Sequence, residues 1–219
     1  RGESLLARQV KAFRRQGIRD IAVVRGYCKE AVDLPDLTYF DNDAYAETGE
    51  LYSLFLAREQ LAQGDVLISY GDIVFDAFIL QNLLNHPGEV NLALDAAWKL
   101  RTRRDEERDL VATEGLDDPV VGTRCLARRL GSDIPEAEAS GEFIGLVMFR
   151  APAARGLSAL LERLAVEEPD YLRRRSLPDL LGRMAAEGEE VAVVHSFGHW
   201  HDVDAPEALD AAREAEDIS

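Results

Sequence analysis

The stretch Asp65-Val66-Leu67-Ile68-Ser69-Tyr70-Gly71-Asp72-Ile73-Val74-Phe75 decides how this chain folds. Its first half, Asp65 to Tyr70, is a β-rich run that stops at Gly71-Asp72. An apolar segment with helical spacing, Phe75 to Leu84, follows at once. In an open α/β sheet, ligands bind beyond the carboxyl ends of the strands. Asp72 therefore lands where a carboxylate reaches a bound cation and its phosphates. A second acidic cluster, Trp200-His201-Asp202-Val203-Asp204-Ala205-Pro206-Glu207, follows another strand-like run, Glu190 to Phe197. Acids at two strand ends point to a Mg²⁺ site for phosphoryl or nucleotidyl chemistry, with Asp72, Asp202 and Asp204 as the metal acids.

Working outward, strands alternate with helical runs. Arg1 to Gln16 reads as a helix with Leu6, Val10 and Phe13 on one face and Gly17 as its stop. Ile18 to Val24 and Leu37 to Phe40 read as strands, and Glu50 to Gln63 as a helix closed by Gly64. After the opening stretch come strands at Val90 to Leu94, Glu142 to Arg150 and Glu190 to Phe197. Helices are expected at Ala153 to Ala165, at Leu177 to Ala186 and from Pro206. The alternation predicts an α/β fold, a doubly wound and mostly parallel sheet. Lys99 to Ala139 is charged, punctuated by Gly and Pro, and weakly periodic. It is expected to form short strands and a lid-like insertion laid over the sheet.

At 219 residues the chain is read as one domain, 1–219, with room for a sizeable core. A formal net charge of −16 argues against nucleic acid or an anionic membrane as partner. The sequence has no run long and apolar enough to span a bilayer. Cys28 and Cys125 lie far apart without a metal-ligand pattern. Reduced, buried or half-buried thiols of a cytoplasmic protein are the expected reading.

Each candidate has a plainer alternative. Gly-Asp after a strand is ordinary turn chemistry. Asp204 is placed to cap a helix beginning near Pro206. The segment Tyr45 to Ser53 joins a turn to a helix, where backbone N–H groups hold an anion or read a base edge. Spacing alone makes it a plain helix start with Glu50 in the first turn. Lys99, after Trp98, is either a phosphate-neutralising cation or a solvated member of a charge run. Glu142 either receives a cationic or hydroxyl group or faces water. His195, His199 and His201 carry no zinc spacing and read as ordinary satisfied histidines.

Together these motifs resemble the nucleotidyltransferase superfamily that makes nucleotide-sugars and CDP-linked head groups, with a Rossmann-like fold. Gly2-Glu3-Ser4-Leu5-Leu6, then Gly17-Ile18 and Arg25-Gly26-Tyr27, resemble the opening that follows its signature. Tyr45 with Thr48-Gly49-Glu50-Leu51-Tyr52-Ser53-Leu54 resembles the base-reading segment of phosphocholine-type cytidylyltransferases. Ser69 to Phe75, Asp95-Ala96-Ala97-Trp98-Lys99 and Gly141 to Gly145 are similar to cytidylyltransferase domains acting on 2-aminoethylphosphonate or 2-hydroxyethylphosphonate.

The resemblance implies that CTP and a small phosphonate give a CMP-phosphonate and pyrophosphate. It implies Asp72, Asp204 and Lys99 as catalytic, with Asp202 beside the metal acids. It implies Thr48, Gly49, Glu50, Ser53 and Gly71 at the nucleotide, and Trp98, Lys99 and Glu142 at the acceptor. Fusion to a phosphoenolpyruvate phosphomutase, as in phosphonate and fosfomycin-type pathways, is part of the resemblance, and a homo-oligomer is left open. The family's Gly-rich loop with Arg and then Pro-Lys is expected just upstream of Gly2, so residues 1–219 are expected to lack that loop and the first strand. Without that strand the domain is expected to be unstable and inactive. A phosphocholine or sugar-1-phosphate nucleotidyltransferase, and an inactive nucleotide-binding domain, are the competing readings. An aromatic box for choline would draw on Trp98, Trp200, Tyr39 and Tyr27.

Overall fold

The computed structural model describes residues 3–100, 108–116 and 124–203. Helix α1 (Leu5–Arg15) is capped by Ser4, whose hydroxyl accepts the Ala7 N–H at 3.2 Å, and closes into Gly17 at φ +86°. Strands β1 (Ala22–Arg25) and β2 (Thr38–Asp41) pair in parallel with each other. The expected helix over Glu50–Gln63 is instead two, α2 (Glu50–Leu56) and α3 (Arg58–Leu61). The ladder breaks at Ala57, where ψ swings to 9° and Arg58 starts a new turn.

Strand β3 (Val66–Ser69) runs into the Gly71-Asp72 bend and then, unexpectedly, into a second short strand, β4 (Ile73–Phe75). The helix expected from Phe75 begins two residues later, as α4 (Ala77–Asn85). Strand β5 (Val90–Asp95) follows. The stretch expected to lie over the sheet supplies two strands that extend it, β6 (Leu110–Glu114) and β7 (Leu126–Gly131). The rest of that stretch at 101–107 and 117–123 lies outside the described residues, as does the helix expected from Pro206. Strand β8 (Gly141–Phe149) leads to α5 (Ala151–Glu167), α6 (Pro169–Arg174) and α7 (Leu177–Ala186). Helix α6 was not expected. Strands β9 (Val191–Ser196) and β10 (Trp200–Asp202) close the described chain.

The six-stranded sheet runs in the order β3, β8, β5, β9, β7, β6, and β6 returns to pair with the start of β8. It is a mixed sheet and not the mostly parallel one expected: β5 and β9 are parallel, whereas β8, inserted between β3 and β5, runs antiparallel to both. Strand β8 explains the two-layered core. All nine of its residues are buried. Phe143, Val147 and Phe149 face the core built with α2, α5, α6 and α7. Ile144, Leu146 and Met148 face the core that holds Ile79 and Leu83 of α4, Ile73 of β4 and Trp200 of β10. Side chains alternate across a pleated strand, so a continuous apolar run feeds both faces at once. The two covered faces are the α/β class expected from the alternation.

Candidate active site

Strands β4 and β10 pair antiparallel, with Asp202 opposite Ile73, and the Val203 N–H donates to the Asp72 carbonyl at 2.8 Å. Two acidic strand ends 130 residues apart in sequence are thereby laid side by side. Asp72 is exposed and Asp202 half-buried. Asp204 lies outside the described residues, one position beyond Val203.

The bend carrying Asp72 is held from three directions. Tyr70 N–H donates to the Gly145 carbonyl at 2.9 Å. The side-chain amide of Gln9, on α1, donates to the carbonyls of Tyr70 and Ile73, both at 2.8 Å. Val203 supplies the third bond. Gly145, at φ +81°, is required here: a Cβ would sit 2.7 Å from the Tyr70 ring.

Strand β10 is fixed by Asp95, at the end of β5 and fully buried. One of its carboxylate oxygens accepts the N–H groups of Ala97 and Gly198, each at 2.8 Å; the other accepts the Trp200 indole N–H at 3.0 Å. The turn from β9 to β10 passes through Gly198 and His199, both in the left-handed region. Ordinary turn chemistry and one buried acid therefore decide where Asp202 falls.

Below the bend is a small cleft of about 50 Å³, walled by Tyr70, Asp109, Glu142, Trp200 and Asp202. Glu142 does not face water; it is 4% exposed. Burial first, then the charges of Glu50, Asp109 and Asp72, push the Tyr70 hydroxyl well above its ordinary range. Tyr70 therefore stays protonated, and its O–H donates to Glu50 Oε2 at 2.8 Å. Among the described residues, no three His, Cys, Asp or Glu side chains form a ready metal centre.

The Thr48 to Ser53 segment is organised by a residue that sequence reading left in a turn. Asn42 is buried and donates from Nδ2 to Thr48 Oγ1 and Ser53 Oγ, both at 3.0 Å, while its Oδ1 accepts the Ala44 N–H. Gly49 N–H donates to the Arg173 carbonyl at 2.6 Å, and Glu50 Oε2 also accepts the Leu177 N–H at 2.9 Å. The segment is thus docked on the α6–α7 junction. A Cβ at Gly49 would lie 2.8 Å from the Arg175 carbonyl oxygen, a backbone atom that cannot swing away. Gly49→Ala should cost about 1–3 kcal/mol in denaturant unfolding. Gly64→Ala, where a Cβ meets nothing within 4 Å, is the control. Equal stability of the two variants would show that the junction yields.

The structure brings together Gly71, Asp72, Asp202 and Glu142, and joins Glu50 to them through Tyr70. Trp98 is buried and does not line that cleft. That ring is 2% exposed and packs with Leu110 and Ile134 in a separate cluster. Lys99 is exposed, its ammonium 5.1 Å from the centroid of the Trp98 ring. The four aromatics considered for a choline box do not converge. Trp200 belongs to the core beneath β4, Tyr39 carries the Arg25 guanidinium on its ring, and Tyr27 stands edge-on to Tyr45. Cys125 is buried, Cys28 is exposed rather than half-buried, and no disulfide joins the two.

Gln9, Asn42, Asp95 and Asp109 were missed as site-building residues. Asp95 carried a usable signal, an acid closing a strand as Asp72 does. So did Gln9, a polar residue four positions before Phe13 on the apolar face of α1.

Comparison with known proteins agrees with this architecture. The chain is 29% identical over 115 residues to the CTP:phosphoglutamine cytidylyltransferase of Campylobacter jejuni, covering 48% of this chain and 46% of that protein. It is 36% identical over 67 residues to the choline-phosphate cytidylyltransferase of Streptococcus pneumoniae, 29% of each chain. The matches thus span less than half the length of these curated relatives. The inositol-1-phosphate CTP transferase of T. maritima has the same fold, with a TM-score of 0.71 at 16% identity over 96% of this chain and 80% of that one. The profile of one family matches residues 1–199, and the chain belongs to it: the MobA-like NTP transferase domain family.

Proposed function

We propose that this domain transfers the cytidylyl group of CTP to a small phosphonate, such as 2-aminoethyl- or 2-hydroxyethylphosphonate, and releases pyrophosphate. The observation that carries the reading is the β4–β10 pairing, which sets the Asp72 bend beside Asp202 at the end of the sheet. Two relatives named for cytidylyl transfer support the choice of CTP. The short stretches Ser69 to Phe75 and Gly141 to Gly145 support the phosphonate.

A triphosphate and a phosphonate meeting near Tyr70 would lie beside the acids Glu50, Asp109 and Asp202. Only a cation makes that approach favourable. Asp72 and Asp202 offer oxygen donors, which suit Mg²⁺, an ion that shares its shell between one or two carboxylates, waters and substrate phosphates. Asp72, Asp202 and Asp204 would hold it. Bound there, Mg²⁺ supplies charge neutralisation at the α-phosphorus. The acceptor oxygen forms the new P–O bond as the bond to pyrophosphate breaks, and being ionised already it needs no general base. Thr48 and Ser53 face the base in this reading, and Lys99 offsets acceptor charge. A phosphomutase making the phosphonate belongs to the same reading.

Pyrophosphate release tests it, with CTP, UTP, ATP and GTP against phosphonates, phosphocholine and sugar 1-phosphates. CTP should exceed either purine nucleotide by at least ~10²-fold, because a base-edge site rejects bases that leave its polar groups unpaired. Equal use of a purine nucleotide sinks the cytidylyl assignment. Faster turnover of phosphocholine or a sugar phosphate sinks the phosphonate, and CTP binding without release leaves a binding domain.

A further inference from the structure

The bend that presents Asp72 lies at the surface. Gly71 has open space around it, and residues 71 and 72 are exposed. The side chain that brackets them comes from α1, more than sixty positions earlier in the chain.

We propose that Gln9 is a positioning residue for this site: its single amide nitrogen holds the carbonyls on either side of Gly71-Asp72 and so fixes where the Asp72 carboxylate points. Three observations carry this. Gln9 is 5% exposed on an otherwise apolar face, a costly place for an amide unless it is bonded. Both N–H groups of one nitrogen are spent, on Tyr70 and on Ile73, at 2.8 Å each. Tyr70 and Ile73 both line the cleft that Asp202 and Glu142 complete. One rigid planar group tying both ends of a two-residue bend sets their separation. A shift of about 1 Å at a reacting centre is enough to cost ~10²-fold in rate.

The role is one of orientation, and it rests on the activity proposed above. Gln9→Leu keeps the approximate volume and removes both donors. Leu164→Ala, in the opposite core beneath α5, is a destabilised control remote from the bend. Two measurements are made on each variant and on wild type. The first is native-state amide hydrogen exchange at Tyr70 and Val203, whose N–H groups bond Gly145 and Asp72. Gln9→Leu should speed exchange there by ~10-fold or more beyond its effect on the β8 amides, while Leu164→Ala should change both sets alike. The second is steady-state pyrophosphate release. Gln9→Leu should lower kcat by ~10–100-fold with the CTP KM changed less than ~3-fold, whereas Leu164→Ala keeps its kcat per folded molecule.

Unchanged relative protection of Tyr70 and Val203 in Gln9→Leu overturns the inference. So does a kcat equal to that of the control. Exchange does not depend on turnover. Full-length wild-type protein that releases no pyrophosphate therefore refutes the proposed activity and leaves the bracketing of the bend to be judged by exchange alone.

Discussion

Asp72→Ala should lower turnover by about 10²–10³-fold while leaving the fold intact. The size of the effect follows from what the carboxylate does in the proposed reaction. It is an exposed oxygen donor at the one bend where two acidic strand ends meet. The stability of the variant follows from how the bend is held. Main-chain atoms carry three of the bonds that hold it: the carbonyls of Tyr70, Asp72 and Ile73 accept from Gln9 and Val203. None of these is lost when the side chain is cut to a methyl. Asp72→Asn tests charge separately from shape, because it keeps an oxygen and removes the negative charge. The check is pyrophosphate release at limiting Mg²⁺ alongside a melting curve. An Asp72→Ala protein with near-wild-type activity under those conditions is incompatible with Asp72 as a metal acid.

The opposite pattern is expected at Asp95. Asp95→Ala should destabilise the protein by roughly 3–5 kcal/mol, since it strands three donors at once, the buried Trp200 indole N–H among them. The N–H groups of Ala97 and Gly198 and the indole N–H of Trp200 all end on this carboxylate. Water does not replace it, because the side chain is fully buried. For a domain of this size, that cost corresponds to a fall of roughly 6–20 °C in Tm. Asp95→Asn should cost less, about 1–3 kcal/mol: its oxygen still serves one pair of donors, but its NH₂ meets the indole N–H as donor against donor. Denaturant unfolding measures both. If Asp95→Ala unfolds within 1 kcal/mol of wild type, by order of magnitude within the uncertainty of such measurements, the acid is not what fixes the turn into β10.

Much of this was legible in the residues. The strand ending at Ser69, the buried strand from Gly141 and the helix from Leu177 follow from local pattern, and the structure places each within a residue or two. Those segments have strong period, clear punctuation or an N-cap, so local preference and tertiary packing agree. The acids at two strand ends were legible for the same reason, since a strand's end is a local event. Helix α2 breaking at Ala57, β4 preceding α4, and α6 were not. Each is a short element whose bonds go to partners far away in sequence, so no window of neighbouring residues contains its cause.

The sequence by itself determined that strand-like and helical runs alternate as in an α/β sheet covered on both faces, and that Asp72 and Asp202 follow strands. Whether those acids meet was decided only by the tertiary structure. The reason is physical: β4 and β10 are three-residue strands, too short to hold a register alone, and they are set against each other by Gln9 on α1 and Asp95 on β5. Those buried polar groups have no periodic signature. Their value lies in bonds to backbone atoms tens of residues away, which exist only once the chain has folded.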